Sequence, residues 1–288
     1  MRCLRRCQRW FADGWDRNES LTVMKRRSRT AGLKTPEEIE RMRRAGRVVH
    51  QVLERMADLA RPGVTTAELN VVAEEMIRQA GGEALFRGQR SDHAKFPFPA
   101  ALCISVNAQV VHGIPGDRVL AEGDVVSVDC GVRLDGYCGD AATTIAVGRV
   151  SPRVERLLTV TREVLDIAIA RMRPKKWWSD IAAEMQANVE AAGFSVVRDF
   201  VGHGIGRGMH EEPKIPNYVD PRERRLDFVL CEGMTLAVEP MVNMGSPEVV
   251  YEDSTGWPVV TKDGQYAAHF EHTIAVTSRG ADVLTDGR

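Results

Sequence analysis

The order of helical and extended segments repeats once along the chain. Thr35-Pro36 begins a helical pattern that Arg61-Pro62 ends, and Ser151-Pro152 and Arg173-Pro174 bound a second helical pattern in the same way. In each half another helical stretch follows, and then short β-like runs. Because proline suits the first turn of a helix and cannot continue one, these pairs indicate real boundaries. We expect one pseudo-twofold α+β domain over residues 33–288, with a cleft between its halves.

Cap signals and apolar spacing predict where the individual elements lie. Thr35 and Thr65 are each followed three residues later by glutamate, which is the pattern of a capping box. Ser151-Pro152 begins the third helix, and Ser179 begins the fourth. Alternating or β-branched runs predict strands at residues 103–106, 125–132, 137–147, 194–197, 234–242 and 269–276.

Composition excludes several classes of protein. The formal net charge of −1 gives no reason to expect a nucleic-acid partner, and no apolar run is long enough to span a membrane. Cysteines scattered through apolar segments are typical of a reducing, cytoplasmic setting. Residues 1–32 have no apolar core and no cleavage signal, so we expect an N-terminal extension without ordered structure and no secretory leader.

Acidic residues interrupt the predicted strands at equivalent places in the two halves. Asp129 lies in an apolar run, and Asp140 follows it across the turn Asp135-Gly136, so paired strands bring the two carboxylates together. Glu239 and Glu271 interrupt strands of the second half. A buried, unpaired carboxylate costs several kcal/mol, on the order of the penalty for an uncompensated ion. These groups therefore need a cation.

A glycine-crowded stretch at residues 201–213 contains two histidines, His203 and His210. Four glycines surround them, which allows close approach of another group or positive φ. His203 and the four carboxylates form a set of oxygen and imidazole ligands that suits two divalent ions about 3.5–4 Å apart. Oxygen-rich sets favour manganese, iron or cobalt over a thiolate zinc site. Taken one at a time, an edge or solvated carboxylate and a buried core histidine remain alternatives.

Five segments in succession resemble the signatures of type I methionine aminopeptidases. The resemblance runs from about residue 33 to the C-terminus, and it implies the pita-bread fold, a duplicated α+β domain with a central antiparallel sheet and helices outside. The segments are HGIPG at 112–116, VDCGVRLDGYCGD at 128–140, GHGIGRGMHEEP at 202–213, AVEPMV at 237–242 and FEHTIAV at 270–276.

The resemblance implies a role for each matching residue. Asp140 and Glu271 would bridge the two ions, and Glu239 would also accept a proton from the attacking water. His210 would donate a hydrogen bond to the developing oxyanion, and His112 would contact the scissile amide. The implied metal ligands are Asp129, Asp140, His203, Glu239 and Glu271, and the implied methionine pocket consists of Phe98, Met209 and Trp257.

The implied activity is removal of the initiator methionine from nascent proteins and peptides, with preference for a small second residue. The two ions would be Co²⁺, Mn²⁺, Fe²⁺, Zn²⁺ or Ni²⁺. The partners would be N-termini of nascent polypeptides, with the ribosome exit region as a further candidate, and the chain is expected to be monomeric. For Phe98, Met209 and Trp257, plain core packing is the alternative.

The chain departs from the family pattern at positions that are not ligands. Met209 replaces an aromatic residue, Gly131 replaces a hydroxyl residue, and Cys138 stands where histidine is common. Residues 88–97, which should border the substrate pocket, match poorly. These departures bear on the shape of the pocket and on metal preference.

Three alternatives compete with this interpretation. A proline-directed peptidase of the aminopeptidase P or prolidase type has the same fold but usually carries a separate N-terminal domain. A relative that has lost its metals and serves as a binding protein would lack at least one ligand, and all five ligand residues are present here. An ordinary α+β protein would leave the five matching segments unexplained.

Overall fold

The computed structural model describes residues 32–219 and 227–288. The expectation that residues 1–32 lack ordered structure falls, except for residue 32, outside the described residues. No helix in the described ranges is long and apolar enough to cross a membrane.

Four helices pack on one side of the sheet, and three of them begin as the cap signals predict. Both predicted capping boxes form. The Thr35 and Thr65 hydroxyls accept from the backbone N–H groups of Glu38 and Glu68, whose carboxylates accept from the threonine backbone N–H groups. Ser151 caps the third helix. The helices are α1 (Pro36–Leu59), α2 (Thr66–Gln79), α3 (Pro152–Arg171) and α4 (Trp178–Ala191).

The fourth helix begins at Trp178 and not after Ser179 as predicted. The Trp178 ring is buried and its Nε1–H donates to the Pro216 carbonyl at 2.7 Å. The Ser179 hydroxyl bonds to Asp227 at 2.6 Å and does not cap the helix. Tertiary packing of the aromatic ring therefore sets this helix start.

The predicted central sheet is present, with nine antiparallel strands in the described residues. Its order is β1-β4-β5-β14-β9-β7-β8, with β2 added beside β4 and β15 beside β14. The strands are β1 (Glu83–Ala84), β2 (Leu102–Val106), β3 (Gln109–Val111), β4 (Val125–Leu134), β5 (Tyr137–Ala146), β6 (Ser195–Val196), β7 (Gly202–Gly204), β8 (Glu211–Ile215), β9 (Thr235–Val238), β10 (Met241–Asn243), β11 (Val249–Tyr251), β12 (Val259–Thr261), β13 (Ala267–His269), β14 (Glu271–Thr277) and β15 (Gly280–Val283).

The two halves of the chain meet where β5 pairs with β14. The first half supplies the hairpin β4–β5, and the second half supplies β14, β9, β7 and β8. Each half has its own apolar core beneath its two helices. The predicted apolar face of β4 lies in the first core, where its side chains are fully buried: Val126, Val128, Cys130 and Val132.

Two predicted strands are interrupted, and the interruptions lie next to each other. The run predicted at 234–242 divides into β9 and β10 at Glu239-Pro240, since proline has no N–H to continue a ladder. The run predicted at 269–276 divides at Phe270, whose N–H donates to the Pro240 carbonyl at 3.4 Å. Beyond these points β10 and β13 join a second, three-stranded sheet with β6. Glu239 and Glu271 therefore lie where two sheets diverge.

Candidate metal centre

Strand register brings Asp129 and Glu271 to the same face of the sheet. Asp129 in β4 lies opposite Ala142 in β5, and Ala142 lies opposite Glu271 in β14. Directly opposed residues in antiparallel strands point to the same face. The small Ala142 side chain leaves the space between the two carboxylates open.

Asp140 lies in β5, two residues before Ala142 in the same hairpin. It faces Gly131 in β4, two residues from Asp129, so both aspartates point to one face, as predicted. The Thr273 hydroxyl accepts from the Asp140 backbone N–H and donates to the Asp140 carbonyl, at 2.9 and 2.8 Å, and so fastens the residue to β14. A Cβ on Gly131 would lie 3.3 Å from Asp140 Oδ1, so this glycine leaves the carboxylate room.

His203 and Glu239 complete the group from the second half. His203 in β7 lies opposite Ala237 in β9, and its Nε2 is 3.5 Å from Glu239 Oε1. The His203 Nδ1 is 2.9 Å from the Gly204 carbonyl, which fixes the ring. Ligand atoms of Asp140, His203 and Glu271 all lie within 4.8 Å of one another. The five residues singled out in the sequence therefore surround one place.

The electrostatics of this group are unfavourable without a cation. Burial, reinforced by the neighbouring carboxylates, raises the pKa of Asp129, Glu239 and Glu271, and burial raises the pKa of Asp140 to about 7. Among the described residues, no lysine or arginine forms a salt bridge with any of the four. Three buried oxygens have no hydrogen-bond partner: Asp129 Oδ1, Asp140 Oδ1 and Glu271 Oε1. Orphaned carboxylate oxygens beside an imidazole are a donor set that fits divalent metal ions.

The other two histidines singled out in the sequence are His210 and His112. The His210 ring meets the His203 ring edge to face, with centroids 4.5 Å apart, and burial lowers the pKa of His210. His112 has a φ of 59° and contacts Phe200 and Trp257 edge to face, at 5.4 and 6.1 Å. Burial lowers the pKa of His112 to about 4, so its ring is neutral near pH 7.

Phe98, Met209 and Trp257 lie together in one buried apolar cluster. Phe98 and Trp257 meet edge to face at 5.1 Å. The Trp257 Nε1–H donates to the Phe96 carbonyl at 2.8 Å, and the Lys95 N–H donates to the Thr255 carbonyl at 3.0 Å. The poorly matching segment 88–97 thus packs against Trp257.

Two residues of this region were not singled out in the sequence. His269 is buried, and its Nε2 has no hydrogen-bond partner and lies 3.9 Å from both Glu239 Oε2 and Glu271 Oε2. Cys103 lies opposite Asp129 across β2 and β4, and burial raises the pKa of its thiol. Strand alternation was a usable signal for His269, because it lies two residues before Glu271.

The four glycines around the two histidines serve the predicted close approach and not positive φ. The structure gives positive φ to none of the four. A Cβ on Gly202 or Gly204 would lie 2.3 Å from a backbone oxygen of the adjacent strand. At Gly206 it would lie 2.2 Å from Lys34 Cε. Close approach is therefore required by the protein's own atoms. The groups that approach Gly202, Gly204 and Gly206 belong to the protein itself.

Comparison with known proteins identifies the family. Residues 40–278 match the description "Metallopeptidase family M24". The chain belongs to metallopeptidase family M24. The methionine aminopeptidase of Clostridium perfringens is 47% identical over 253 residues, which cover 88% of this chain and 98% of the relative. Relatives this similar place the chain among the methionine aminopeptidases of the family.

Solved structures agree with this assignment. The crystal structure of methionine aminopeptidase from Thermotoga maritima superposes with a TM-score of 0.82 at 43% identity, over 88% of this chain and 98% of that one. Prolidase from Pyrococcus furiosus superposes with a TM-score of 0.70 at 21% identity, covering 91% of this chain and 67% of that chain, which shows the shared fold alone. The M24 chain has the expected pita-bread fold, and its family membership implies the use of divalent metal.

Proposed function

We propose that the chain removes an N-terminal methionine from polypeptides whose second residue is small, using two divalent ions. The proposed ligands are Asp129, Asp140, His203, Glu239 and Glu271, with Asp140 and Glu271 shared between the ions. The observation that carries the proposal is the convergence of four buried carboxylates and His203, with three carboxylate oxygens lacking any hydrogen-bond partner, in a chain whose relatives are methionine aminopeptidases. The same likeness to relatives favours this function over proline-directed cleavage.

When bound in this group, divalent ions would supply Lewis-acid activation of the scissile carbonyl and of the attacking water. Glu239, whose Oε1 lies 3.5 Å from His203 Nε2, would accept a proton from the attacking water.

The neutral histidines act on the peptide. Because burial lowers the pKa of His210, its ring is neutral and keeps one N–H, which it donates to the carbonyl oxygen as negative charge develops there. His112 lies against Trp257 and contacts the amide that is cut. Both donors are held by the protein before the substrate binds.

The methionine side chain would occupy the apolar cluster of Phe98, Met209 and Trp257. Methionine is unbranched and polarizable, so sulfur–aromatic contacts with Phe98 and Trp257 would stabilise it. The flexible Met209 side chain would pack against the methionine side chain of the substrate. An aromatic residue at this position would give a more rigid wall.

For partners and location we propose N-termini of nascent chains in the cytoplasm and action as a monomer. The ribosome exit region is the place where such N-termini emerge. Co-sedimentation of the purified chain with ribosomes tests the contact, and sedimentation of the chain alone tests its oligomeric state.

A peptide panel tests the function. Protein loaded with Mn²⁺ is incubated with Met-Ala-Ser, with Met-Trp-Ser and with Ala-Pro. We expect free methionine from Met-Ala-Ser, much less from Met-Trp-Ser, and no cleavage of Ala-Pro. Cleavage of Ala-Pro without methionine release would show that the chain is a proline-directed enzyme.

A further inference from the structure

Lys34, just before helix α1, forms a mostly buried ion pair with Glu211. Its Nζ donates to Glu211 Oε2 at 2.7 Å and to the Gly32 carbonyl at 2.5 Å, and only 9% of its side chain is exposed. The Lys34 backbone N–H donates to the Gly233 carbonyl at 2.7 Å. The pair therefore joins the start of the first half to a strand of the second half.

Glu211 also forms a hydrogen bond with the loop between β7 and β8. Its other oxygen, Oε1, accepts from the Gly208 N–H at 3.0 Å. The Lys34 side chain lies directly on Gly206, where a Cβ would be 2.2 Å from Lys34 Cε. One ion pair thus supports the loop 205–210 at two of its residues.

The other side of this loop is held by residues of α1 and β5. The Arg207 guanidinium lies 4.5 Å from the Tyr137 ring, and the Tyr137 hydroxyl donates to Glu38 Oε1 at 2.6 Å. Glu38 is the same residue that closes the capping box of α1. The Cys138 N–H donates to the Gly206 carbonyl at 2.7 Å, and its thiol donates to the Arg207 carbonyl.

The loop carries Met209 and His210, immediately before Glu211. The geometry points to Lys34 as a positioning residue: through Glu211 it fixes the loop 205–210, and with it the His210 hydrogen-bond donor and the Met209 wall of the pocket. This inference rests on the proposed function and extends it to a residue remote from the ligands. A misplacement of about 1 Å in a catalytic group costs on the order of 100-fold in rate.

A double-mutant cycle on kcat tests the inference. Lys34→Met and Glu211→Gln should each lower kcat for Met-Ala-Ser by about 10- to 100-fold. In a His210→Ala background the same Lys34→Met change should alter kcat by less than about twofold, since coupled residues are not additive. Because Lys34→Met also displaces the Met209 wall of the pocket, it should raise KM for Met-Ala-Ser. This rise should be the same with His210 present and in the His210→Ala background. If the loss of kcat in the Lys34→Met/His210→Ala double variant equals the product of the two single losses, the inference is overturned.

Arg43→Met is the matched control. Arg43 lies on α1, 14% of its side chain is exposed, and its Nη2 is 2.5 Å from Asp282 Oδ2. Its loss should lower Tm as Lys34→Met does, with kcat and KM unchanged. Lys34→Arg, which keeps the charge, should recover most of the lost kcat and covers the case in which Lys34→Met does not fold.

Hydrogen exchange measures the loop without catalysis. Amides of residues 205–211 should exchange faster in Lys34→Met than in wild type, and at the wild-type rate in Arg43→Met. Wild-type exchange of this loop in Lys34→Met would overturn the inference. If the wild-type protein releases no methionine, the proposed function is contradicted. Hydrogen exchange then still tests whether Lys34 fixes the loop 205–210.

Discussion

Asp140 combines unfavourable burial with a central place among the proposed ligands. Its carboxylate lies close to Asp129, and burial raises its pKa to about 7. Its backbone N–H and carbonyl are both bonded to the Thr273 hydroxyl, which fixes the position of its backbone beside β14. Such a residue costs stability in the metal-free protein and gains a partner when a cation binds.

Replacing Asp140 should therefore have opposite effects on stability and on metal binding. At pH 8 the metal-free Asp140→Asn variant should have a higher Tm than wild type, because one buried charge is removed. Its affinity for Mn²⁺ should fall by on the order of 100-fold or more, since outer-shell changes alone cost 10- to 100-fold. Calorimetry of metal-free and titrated protein measures both quantities.

Asp135→Asn is the control for that comparison. Asp135 lies in the same hairpin, but its side chain is 58% exposed and pairs with Arg44. It should change neither Tm nor Mn²⁺ affinity appreciably. A metal-free Asp140→Asn protein less stable than wild type at pH 8 would contradict the picture of an uncompensated buried carboxylate.

Replacing His210 should lower kcat without changing metal binding. His210→Ala should lower kcat by about 10²- to 10³-fold, the usual cost of removing one oxyanion donor. Metal content per chain should equal that of wild type, because His210 reaches the group only through its contact with His203. His50→Ala, which removes a half-buried histidine of α1 that pairs with Glu54, should leave kcat and metal content unchanged. Metal loss from His210→Ala would reassign this residue as a ligand.

At the scale of elements, helix α1 holds the first half together through a glycine contact. A Cβ on Gly46 would lie 2.0 Å from the Leu284 carbonyl oxygen, and a Cβ on Gly139 in β5 would lie 2.7 Å from the Gly46 nitrogen. Both neighbours are backbone atoms, which cannot rotate away. The helix therefore lies as close to the sheet and the C-terminal segment as the backbones permit.

Gly46→Ala should destabilise the protein although alanine favours helices. The gain in helix propensity is about 1 kcal/mol, whereas overpacking costs about 1–3 kcal/mol and is most severe against backbone. We expect a net loss of free energy of unfolding, measured by urea denaturation. Gly116→Ala, where no atom lies within 4 Å and φ is not positive, should be nearly neutral. A stabilised Gly46→Ala protein would show that α1 lies farther from its neighbours.

Local patterns predict the elements well, and long-range pairing explains what they miss. Thr35 and Thr65 cap their helices as expected, and the turn at Asp135-Gly136 brings Asp140 to Asp129, because these interactions join residues near in sequence. The start of α4 at Trp178 depends on packing against a distant carbonyl. No local pattern could reveal it.

The candidate site shows the same division between local and distant information. The buried carboxylates and their positions in strands could be predicted from the sequence, since a carboxylate in an apolar strand needs compensation. The pairing of β5 with β14, which brings the halves together, joins residues more than a hundred positions apart. The Lys34–Glu211 pair spans an even longer separation, and no short-range pattern links the two.

For the whole molecule, the ligand group should make stability depend on pH in a defined direction. The pKa of Asp140 rises from 3.8 to about 7 on folding. Stability from such a group is fully present below the unfolded pKa and is lost as pH rises through the folded pKa. The metal-free protein should thus lose stability relative to Asp140→Asn between about pH 4 and pH 7.

The difference in Tm between Asp140→Asn and wild type isolates this effect from the buried histidines. In metal-free protein this difference should be near zero at pH 4 and should grow in favour of the variant up to pH 8. With saturating Mn²⁺ its sign should reverse, since binding to the folded state adds stability. A difference that does not change with pH would mean that Asp140 is not perturbed.

Methionine release should depend on ions held by the five proposed ligand residues. The direct measurement follows bound Mn²⁺ per chain by equilibrium dialysis and methionine release from Met-Ala-Ser in the same samples, starting from metal-stripped protein. Binding should reach two ions per wild-type chain, and release should begin only as they bind. Asp140→Asn should lose both together. Methionine release by metal-free protein, or full release by an Asp140→Asn chain without bound Mn²⁺, would contradict the account.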